Sequence, residues 1–270
     1  MQTGHQAIHS PLPPIRGSAP GPYSNTHSSG LSTSTTLPPK TLMYFPGAYG
    51  PAQAFAQFLQ GLNQLQQSLV QLQLPPTTPE TSHNLVTEGD VVRASALYLL
   101  HDVNLIIENY FINHLNIQAL AIECIGESSD GHSRPDIKYM VGGRAVLIVE
   151  FKNINTLDDN DWTRHSLITR DHSPQYLLQR LPPGAQTTLR GNASILVKQA
   201  AKYSDTCPLI VLFNYQNMVV LDFRPNGQPF HDVDNPVQYF FSNGQGIPHK
   251  KLLLAAFLYG FGKQRIRKLL

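Results

Sequence analysis

The distribution of apolar residues divides the chain near residue 80. Residues 1–50 show no hydrophobic periodicity and are rich in Pro, Ser, Thr and Gly, and residues 1–80 hold more than half of the 21 prolines. A segment of this composition buries too little apolar surface to offset its conformational entropy. The sequence therefore predicts a disordered N-terminal tail over residues 1–80, with one helix inside it, and a folded domain over residues 81–270.

The helix inside the tail is predicted at about residues 52–74, where apolar residues recur at alternating intervals of three and four positions. The apolar stripe consists of Phe55, Phe58, Leu62, Leu65, Leu69 and Leu72. A heptad stripe of this kind is typical of a coiled coil, so self-association through this helix is one interpretation. The other is an amphipathic helix on the surface of the domain itself, which Gly61 and the lack of flanking charges favour.

The pattern after residue 80 predicts an α/β domain of the α+β kind, in which a mixed sheet is flanked by helices. Thr87, followed by Asp90, is typical of a helix N-cap with a capping box, and helical periodicity continues to Phe111. Strands are predicted at residues 119–126, 135–141, 144–151, 209–213 and 218–223. Further helices are predicted at residues 194–203 and 250–270, with an irregular insertion at residues 154–190.

The third predicted strand ends in charged residues. Gly142-Gly143 predicts a tight turn before it, and the continuous apolar run at residues 146–149 indicates a central strand covered on both faces. Glu150 and Lys152 point to the same face, because side chains alternate along a strand. Charged groups at the end of so apolar a strand are costly unless they are paired or functional.

Two carboxylates and a lysine form the candidate chemical site. Asp136 lies near the start of the second predicted strand, which neighbours the strand of Glu150 and Lys152. Two carboxylates can bind Mg²⁺ through oxygen, and the metal then activates water and neutralises charge on a phosphate. A lysine beside them orients the water or stabilises the developing negative charge. The three residues therefore predict metal-assisted hydrolysis of phosphodiester bonds.

The spacing of these residues matches a known signature. Pro135-Asp136, thirteen intervening residues and then Glu150-Phe151-Lys152 resemble the PD-(D/E)XK nucleases, and the stretch is most similar to the N-terminal nuclease domain of type I restriction-enzyme motor subunits. Gln199 and Tyr203 match the QxxxY motif of RecB-like members. The resemblance covers residues 87–225 and implies a restriction-endonuclease-like αβββαβ core.

The resemblance also implies a role for each matching residue. Asp136 and Glu150 would bind the metal, which is Mg²⁺ with Mn²⁺ as a substitute, and Lys152 would be the catalytic lysine. Gln199 and Tyr203 would organise the site or contact DNA.

Many members of the family carry an additional acidic metal ligand in the first helix. The resemblance assigns this position to Glu88, with Glu108 on the second helical segment and Glu123 on the first strand as rivals.

The register of the hairpin provides a test of the metal site. Regular pairing outward from a two-residue Gly142-Gly143 turn would place Asp136 opposite Val149, so that Asp136 and Glu150 would lie on opposite faces of the sheet. A shared site needs an offset of one residue. The sequence therefore predicts either a longer turn or a β-bulge near Asp136, because bulges are frequent beside active sites.

Composition narrows the location and the class of the protein. The chain has only two cysteines, neither in a metal-ligand spacing, which favours a reducing compartment and no structural zinc. The first thirty residues lack the apolar core of a signal peptide, and no apolar run reaches the length of a membrane span. We therefore expect an intracellular protein of the cytoplasm or nucleus that is neither secreted nor membrane-bound. The sequence contains no glycine-rich phosphate-binding motif, so nothing in it favours nucleotide hydrolysis.

The formal net charge of +2 does not by itself indicate a nucleic-acid partner, so a phosphate-binding surface would require local clustering. The last predicted helix offers such a cluster, which would either bind phosphates or form a solvated face. Its cations are Lys250, Lys251, Lys263, Arg265, Arg267 and Lys268.

The leading hypothesis is a Mg²⁺-dependent nuclease that acts on DNA. One alternative is a catalytically inactive module of the same fold that binds nucleic acid or protein. Another is an interaction protein that acts through its N-terminal tail.

Overall fold

The computed structural model describes residues 1–19, 21–24, 37–44, 63–78, 80, 82–110, 122–126, 135–163, 167–168, 173–181, 183–224 and 227–263. A two-stranded ladder pairs β1 (Gln2–Thr3) with β3 (Gln73–Leu74). The main sheet contains β2 (Leu42–Tyr44), β4 (Ile122–Gly126), β5 (Ile137–Val141), β6 (Arg144–Phe151), β7 (Leu167–Ile168), β8 (Leu209–Phe213), β9 (Met218–Asp222) and β10 (Val237–Ser242).

Helices lie on both faces of the main sheet. They are α1 (Gly4–His9), α2 (Asn63–Gln71), α3 (Glu88–Ser95), α4 (His101–Asn109), α5 (Asp159–Thr163), α6 (Pro174–Gln179), α7 (Gly191–Ala201) and α8 (His249–Lys263). A π-helical turn at Ala96–Leu100 joins α3 to α4. The prediction of a mixed sheet flanked by helices is therefore confirmed.

The eight strands that the structure describes in the main sheet follow the order β4-β5-β6-β8-β9-β10-β2-β7. Strands β4, β5 and β6 form an antiparallel meander, β6 pairs with β8 in parallel, and β8, β9 and β10 are again antiparallel. The parallel pair requires a crossover, which carries α5, α6 and α7. The sequence did not predict β2, β7 and β10. Strands β2 and β7 have only three and two residues, which is too short for a recognisable alternation, and β7 is the edge strand at this end of the sheet.

Each face of the sheet has its own hydrophobic core. Leu147, Val149 and Phe151 of β6 pack on the face covered by α1, α3, α4 and α8. Ile148 packs on the other face, beneath Trp162 and the apolar side of α7. All eight residues of β6 except Arg144 are buried, as the continuous apolar run predicted.

The described parts of the N-terminal segment are ordered, which corrects the expectation of a disordered tail over residues 1–80. Ala7 and Ile8 of α1 are fully buried in the first core, together with Leu74. Strand β2 extends the main sheet by pairing in parallel with β10. These apolar residues are too sparse to form a core of their own, but they complete the core of the domain, so residue 80 is not a structural boundary.

Leu69 and Leu72 of the predicted heptad stripe pack inside the protein. Leu69 of α2 is buried in the first core, and Leu72 packs against the same core. Ser68 Oγ also donates to Asn109 Oδ1 of α4 at 3.1 Å. This arrangement favours the interpretation of an amphipathic helix on the domain itself. The positions of the stripe before residue 63 lie outside the described residues.

Helix α3 begins as the sequence predicted. Thr87 is its N-cap, its Oγ1 accepts from the backbone N–H of Asp90, and the Asp90 carboxylate accepts from the N–H of Thr87. This capping box satisfies two backbone donors that a helix start otherwise leaves unpaired. It also fixes Glu88 as the first residue of the helix.

Helix α8 does not present the predicted row of cations. Lys250 is only 3% exposed and its Nζ donates to Asp102 Oδ2 at 2.6 Å. Lys263 Nζ contacts the Asp222 carboxylate and donates to the carbonyl of Arg224 at 2.6 Å. The phosphate-binding interpretation is therefore wrong for these two lysines.

Arg265, Arg267 and Lys268, the remaining distal cations of the predicted row, lie outside the described residues. Among the residues that are described, no helix is long and apolar enough to cross a membrane.

Candidate active site

A β-bulge sets the register of the β5–β6 hairpin. Near the turn, Val141 pairs with Arg144 and Met140 with Ala145, so the turn is the two-residue Gly142-Gly143. The register then shifts, because Tyr139 pairs with Leu147 and leaves Val146 without a partner on β5. Val146 and Leu147 consequently both face the first core. The predicted offset of one residue is confirmed, and it lies nearer to the turn than to Asp136.

The bulge brings the two carboxylates of the signature together. Since Ile137 pairs with Val149, the next position along the hairpin sets Asp136 against Glu150 on one face. The N–H of Phe151 donates to Asp136 Oδ2 at 2.6 Å, and the N–H of Asp136 approaches Glu150 Oε2 at 3.4 Å. Asp136 therefore closes the end of the hairpin through its side chain.

Three donors converge on a single oxygen of Glu150. Gln199 Nε2 lies 2.6 Å from Glu150 Oε1, Lys152 Nζ lies 3.2 Å from it and the Tyr203 hydroxyl lies 3.3 Å from it. Gln199 is in the last turns of α7 and Tyr203 follows the helix, so their four-residue spacing puts both on the side that faces the sheet. The QxxxY pair thus holds the Glu150 carboxylate from the opposite layer.

The position of Lys152 follows from β6. Its backbone N–H donates to the carbonyl of Phe213 at 2.9 Å, which continues the parallel pairing with β8 one residue past the strand end. Its side chain is therefore on the Glu150 face, as alternation predicted. Lys152 is 5% exposed and Glu150 is 4% exposed, so the ion pair is shielded from water.

The environment of Glu150 disfavours the ionised form of its carboxyl group. Burial raises its pKa to about 7; the Lys152 ammonium opposes this rise, and the Asp136 carboxylate adds to it. Burial also raises the pKa of the Tyr203 hydroxyl well above its ordinary value, so this group remains a donor. Two neighbouring carboxylates in a buried site repel each other, and a bound divalent cation would offset this repulsion.

Glu88 is exposed as a whole residue, but its carboxyl group is partly buried and lies close enough to the site for the charges there to shift its pKa. Burial of the carboxyl group raises its pKa, with the Asp136 carboxylate acting in the same direction. The Lys152 ammonium and a hydrogen bond from the backbone of Asn153 oppose the rise. The first residue of α3 therefore meets the end of β6.

The two rival acids lie elsewhere. Glu108 of α4 lines an apolar groove with Leu72 and Leu105. Glu123 pairs with Met140 on β5, three pairs along the ladder from the Gly126–Ile137 pair that borders the site. Neither position meets Asp136 or Glu150.

The donor set fits a hard divalent cation that is held by few protein ligands. Among the described residues, no group of three or more His, Cys, Asp or Glu side chains is placed to hold a metal ion. Glu88 therefore forms no such group with Asp136 and Glu150 among the described residues, and its role as an additional metal ligand stays a prediction. Mg²⁺ is commonly bound through one or two carboxylates and several waters, so Asp136 and Glu150 can serve this role.

Two features of the site had not been expected from the sequence. Lys138 is two residues after Asp136 and pairs with Ile148, so it lies on the same face of the sheet as Asp136. It is also buried. Its alternation with Asp136 along β5 was the available signal. The backbone of Asn153 also bonds to Glu88, which a sequence pattern cannot report because it involves main-chain atoms.

Comparison with known proteins does not add a relative. No family model matches the sequence, and neither a curated protein nor a solved structure matches it.

Proposed function

We propose that the protein is a Mg²⁺-dependent nuclease that hydrolyses phosphodiester bonds in DNA, with the restriction-endonuclease-like core that the sequence signature implies. The observation that carries the proposal is the opposition of Asp136 and Glu150 on one sheet face, with Lys152 beside them. A β-bulge is needed to create this opposition, whereas a surface ladder of charges needs none.

Each residue has a distinct part in the reaction. Asp136 and Glu150 supply the carboxylate oxygens for Mg²⁺, for which Mn²⁺ can substitute. A metal held there would supply an activated water and would neutralise charge on the scissile phosphate. The Lys152 ammonium stabilises the negative charge that develops on the phosphate, or orients the attacking water. Gln199 and Tyr203 fix Glu150 through Oε1 and so direct its second oxygen.

Cleavage assays test the proposal. The full chain is incubated with supercoiled plasmid and with linear duplex DNA, in Mg²⁺ or Mn²⁺ and in EDTA. The variants are Asp136→Asn and Lys152→Met, and Asp234→Asn is the matched control because the Asp234 side chain is exposed. We expect metal-dependent cleavage by the wild type and the control. Both site variants should lose at least a hundredfold in rate while remaining folded, since removing one preorganised stabilising group typically costs about that much.

The possible outcomes separate the candidate functions. Nicked circles would identify an endonuclease, whereas degradation of linear DNA alone would identify an exonuclease. Binding of metal and DNA without cleavage would reject the nuclease in favour of a non-catalytic module of the same fold. Cleavage that survives in both site variants would locate the activity elsewhere.

A further inference from the structure

Residues 15–19 and 21–24 form an irregular segment on the surface, which we call the N-terminal strap. Ile15 anchors it in the first core, but the residues that follow are exposed or half-buried. Polar contacts, mostly to its main chain, hold this part of the strap. A cavity of about 190 Å³ lies beside it, between Pro11–Pro14 and the loop of Tyr215 and Gln216.

The first contact of the strap is with the segment that leads into α3. The N–H of Leu85 donates to the carbonyl of Arg16 at 2.9 Å, and Arg16 forms an isolated parallel bridge with Asn84. Gly17 has a φ of +83°, and a Cβ on it would come within 2.6 Å of the Leu85 carbonyl oxygen. Leu85 is three residues before Glu88.

The second contact is with the loop that follows β6. Asn155 Oδ1 accepts from the N–H of Gly21 at 2.9 Å, and the Asn155 carbonyl accepts from the N–H of Ser24 at 3.2 Å. Asn155 is three residues after Lys152, and it has a left-handed backbone with a φ of 63°.

Gln216 joins the strap and this loop. Its Nε2 donates to the carbonyl of Ala19 at 3.0 Å, to the carbonyl of Ser18 at 3.2 Å and to Asn155 Oδ1 at 3.0 Å. Its Oε1 accepts from the N–H of Asn155 at 3.1 Å. One side chain therefore fixes both the strap and the chain that leaves Lys152.

The third contact is with the start of α7. Asn192 Nδ2 donates to the carbonyl of Ser24 at 2.7 Å. The Tyr23 hydroxyl donates to Asp161 Oδ2 at 2.8 Å and accepts from the N–H of Asn192 at 2.9 Å. Asn192 is seven residues, or about 10 Å along the helix axis, before Gln199.

We propose that the N-terminal strap is a positioning element of the candidate active site. It joins the three segments that carry the Glu88 carboxylate, the Lys152 ammonium and the Gln199 amide, and these segments are far apart in sequence. Because the described contacts of the strap are with the chain on either side of the site, it acts through the placement of these backbone segments. The inference rests on the proposed nuclease function, which it deepens by naming what controls the geometry of the site.

A matched pair of variants tests the strap. Gln216→Met removes the amide that ties the strap to Asn155 and keeps the size of the side chain. Thr187→Val is the control, because Thr187 Oγ1 donates to the carbonyls of Pro39 and Lys40 and so ties a different N-terminal residue pair to the body. Tyr23→Phe is a second test that acts on an exposed residue and releases only the end of the strap at α7.

Two measurements are made on the full chain. Hydrogen exchange is followed in residues 84–90, 153–157 and 190–196, and Mn²⁺ binding is followed by calorimetry. In Gln216→Met we expect faster exchange in all three segments and a ten- to hundredfold loss of Mn²⁺ affinity, the usual effect of removing support from a metal ligand. Saturating metal should restore cleavage, which an unfolded protein would not allow. Thr187→Val should change neither quantity, and Tyr23→Phe should loosen residues 190–196 alone.

The proposal fails if Gln216→Met exchanges faster only within the strap, or if Mn²⁺ affinity is the same in Gln216→Met and Thr187→Val. Failure of the nuclease proposal has a different signature, in which the wild type binds no Mn²⁺ and cleaves no DNA. Even then the exchange data decide whether the strap couples the three segments, because exchange does not depend on activity.

Discussion

The carbonyl oxygen of Val146 lies so close to Gly260 that no side chain fits between them. Val146 is the bulged residue of β6, and Gly260 is on the face of α8 that covers it. The bulge sets Asp136 opposite Glu150, so the packing of a distant helix and the geometry of the site depend on the same backbone.

This contact predicts opposite effects for two glycines of one helix. Gly260→Ala should destabilise the protein by about 1–3 kcal/mol, because the added methyl meets a backbone carbonyl that cannot move aside. Gly262→Ala should be neutral or stabilise by up to about 1 kcal/mol, because a Cβ there meets no atom within 4 Å and alanine favours the helix. Urea unfolding measures both. Equal effects at the two positions would contradict the close approach.

The buried Asp102–Lys250 ion pair predicts that replacing either residue alone lowers the stability of the protein strongly. Lys250→Met should lower the free energy of unfolding by about 3–5 kcal/mol, because it leaves the fully buried Asp102 carboxylate without its cation. The double variant Asp102→Leu/Lys250→Met should recover most of this loss, since two apolar residues replace the pair. Lys251→Met, at the next position, should change stability by less than about 0.5 kcal/mol. A double variant no better than Lys250→Met would contradict this account.

The buried position of His249 predicts that its protonation contributes to unfolding at acidic pH. Burial lowers its pKa from 6.5 to about 4, and among the described residues its Nε2 has no hydrogen-bond partner. The unfolded chain therefore binds more protons between pH 6.5 and 4, so stability falls as the pH drops through this window. The loss approaches about 3 kcal/mol, since each unit of pKa corresponds to about 1.4 kcal/mol.

The variant His249→Phe tests this assignment, because a phenyl ring keeps much of the packing against Phe213. Unfolding curves at pH 7.5, 6, 5 and 4 should show a weaker pH dependence than the wild type by about the amount stated. His231→Phe, at an exposed histidine, should leave the dependence unchanged. A pH dependence in His249→Phe identical to the wild type would assign acid denaturation to other groups.

Gln199 and Tyr203 predict losses of activity that exceed their effects on stability. Gln199→Leu removes the shortest hydrogen bond to Glu150 and should lower the rate of DNA cleavage by ten- to hundredfold. Tyr203→Phe removes the longer bond at 3.3 Å and should have a smaller effect. Gln179→Leu, at an exposed position of α6, is the control for a change from glutamine to leucine. Full activity in Gln199→Leu would show that Glu150 needs no support from α7.

The sequence predicted the centre of the site because its residues follow local rules. Alternation along β6 put Glu150 and Lys152 on one face, and the pairing rule demanded an offset before Asp136 could join them. The location of the offset could not be predicted, since it depends on the approach of α8 at Gly260. Lys250 was misassigned because its partner Asp102 lies 148 positions away in sequence. The ordered structure of the N-terminal segment was not predicted either, because its packing partners are also distant in sequence.

The pairing of β2 with β10 has a consequence for folding during translation. Leu42 pairs with Val237, and the Tyr215 hydroxyl donates to the carbonyl of Pro13. Leu42 and Pro13 thus find their partners only after residues 237 and 215, respectively, have been synthesised. Contacts of such long sequence separation slow folding, because the loop between them must close first. The buried apolar residues of the N-terminal segment, such as Ile8 and Leu42, therefore stay without their full packing partners until the later strands have been synthesised.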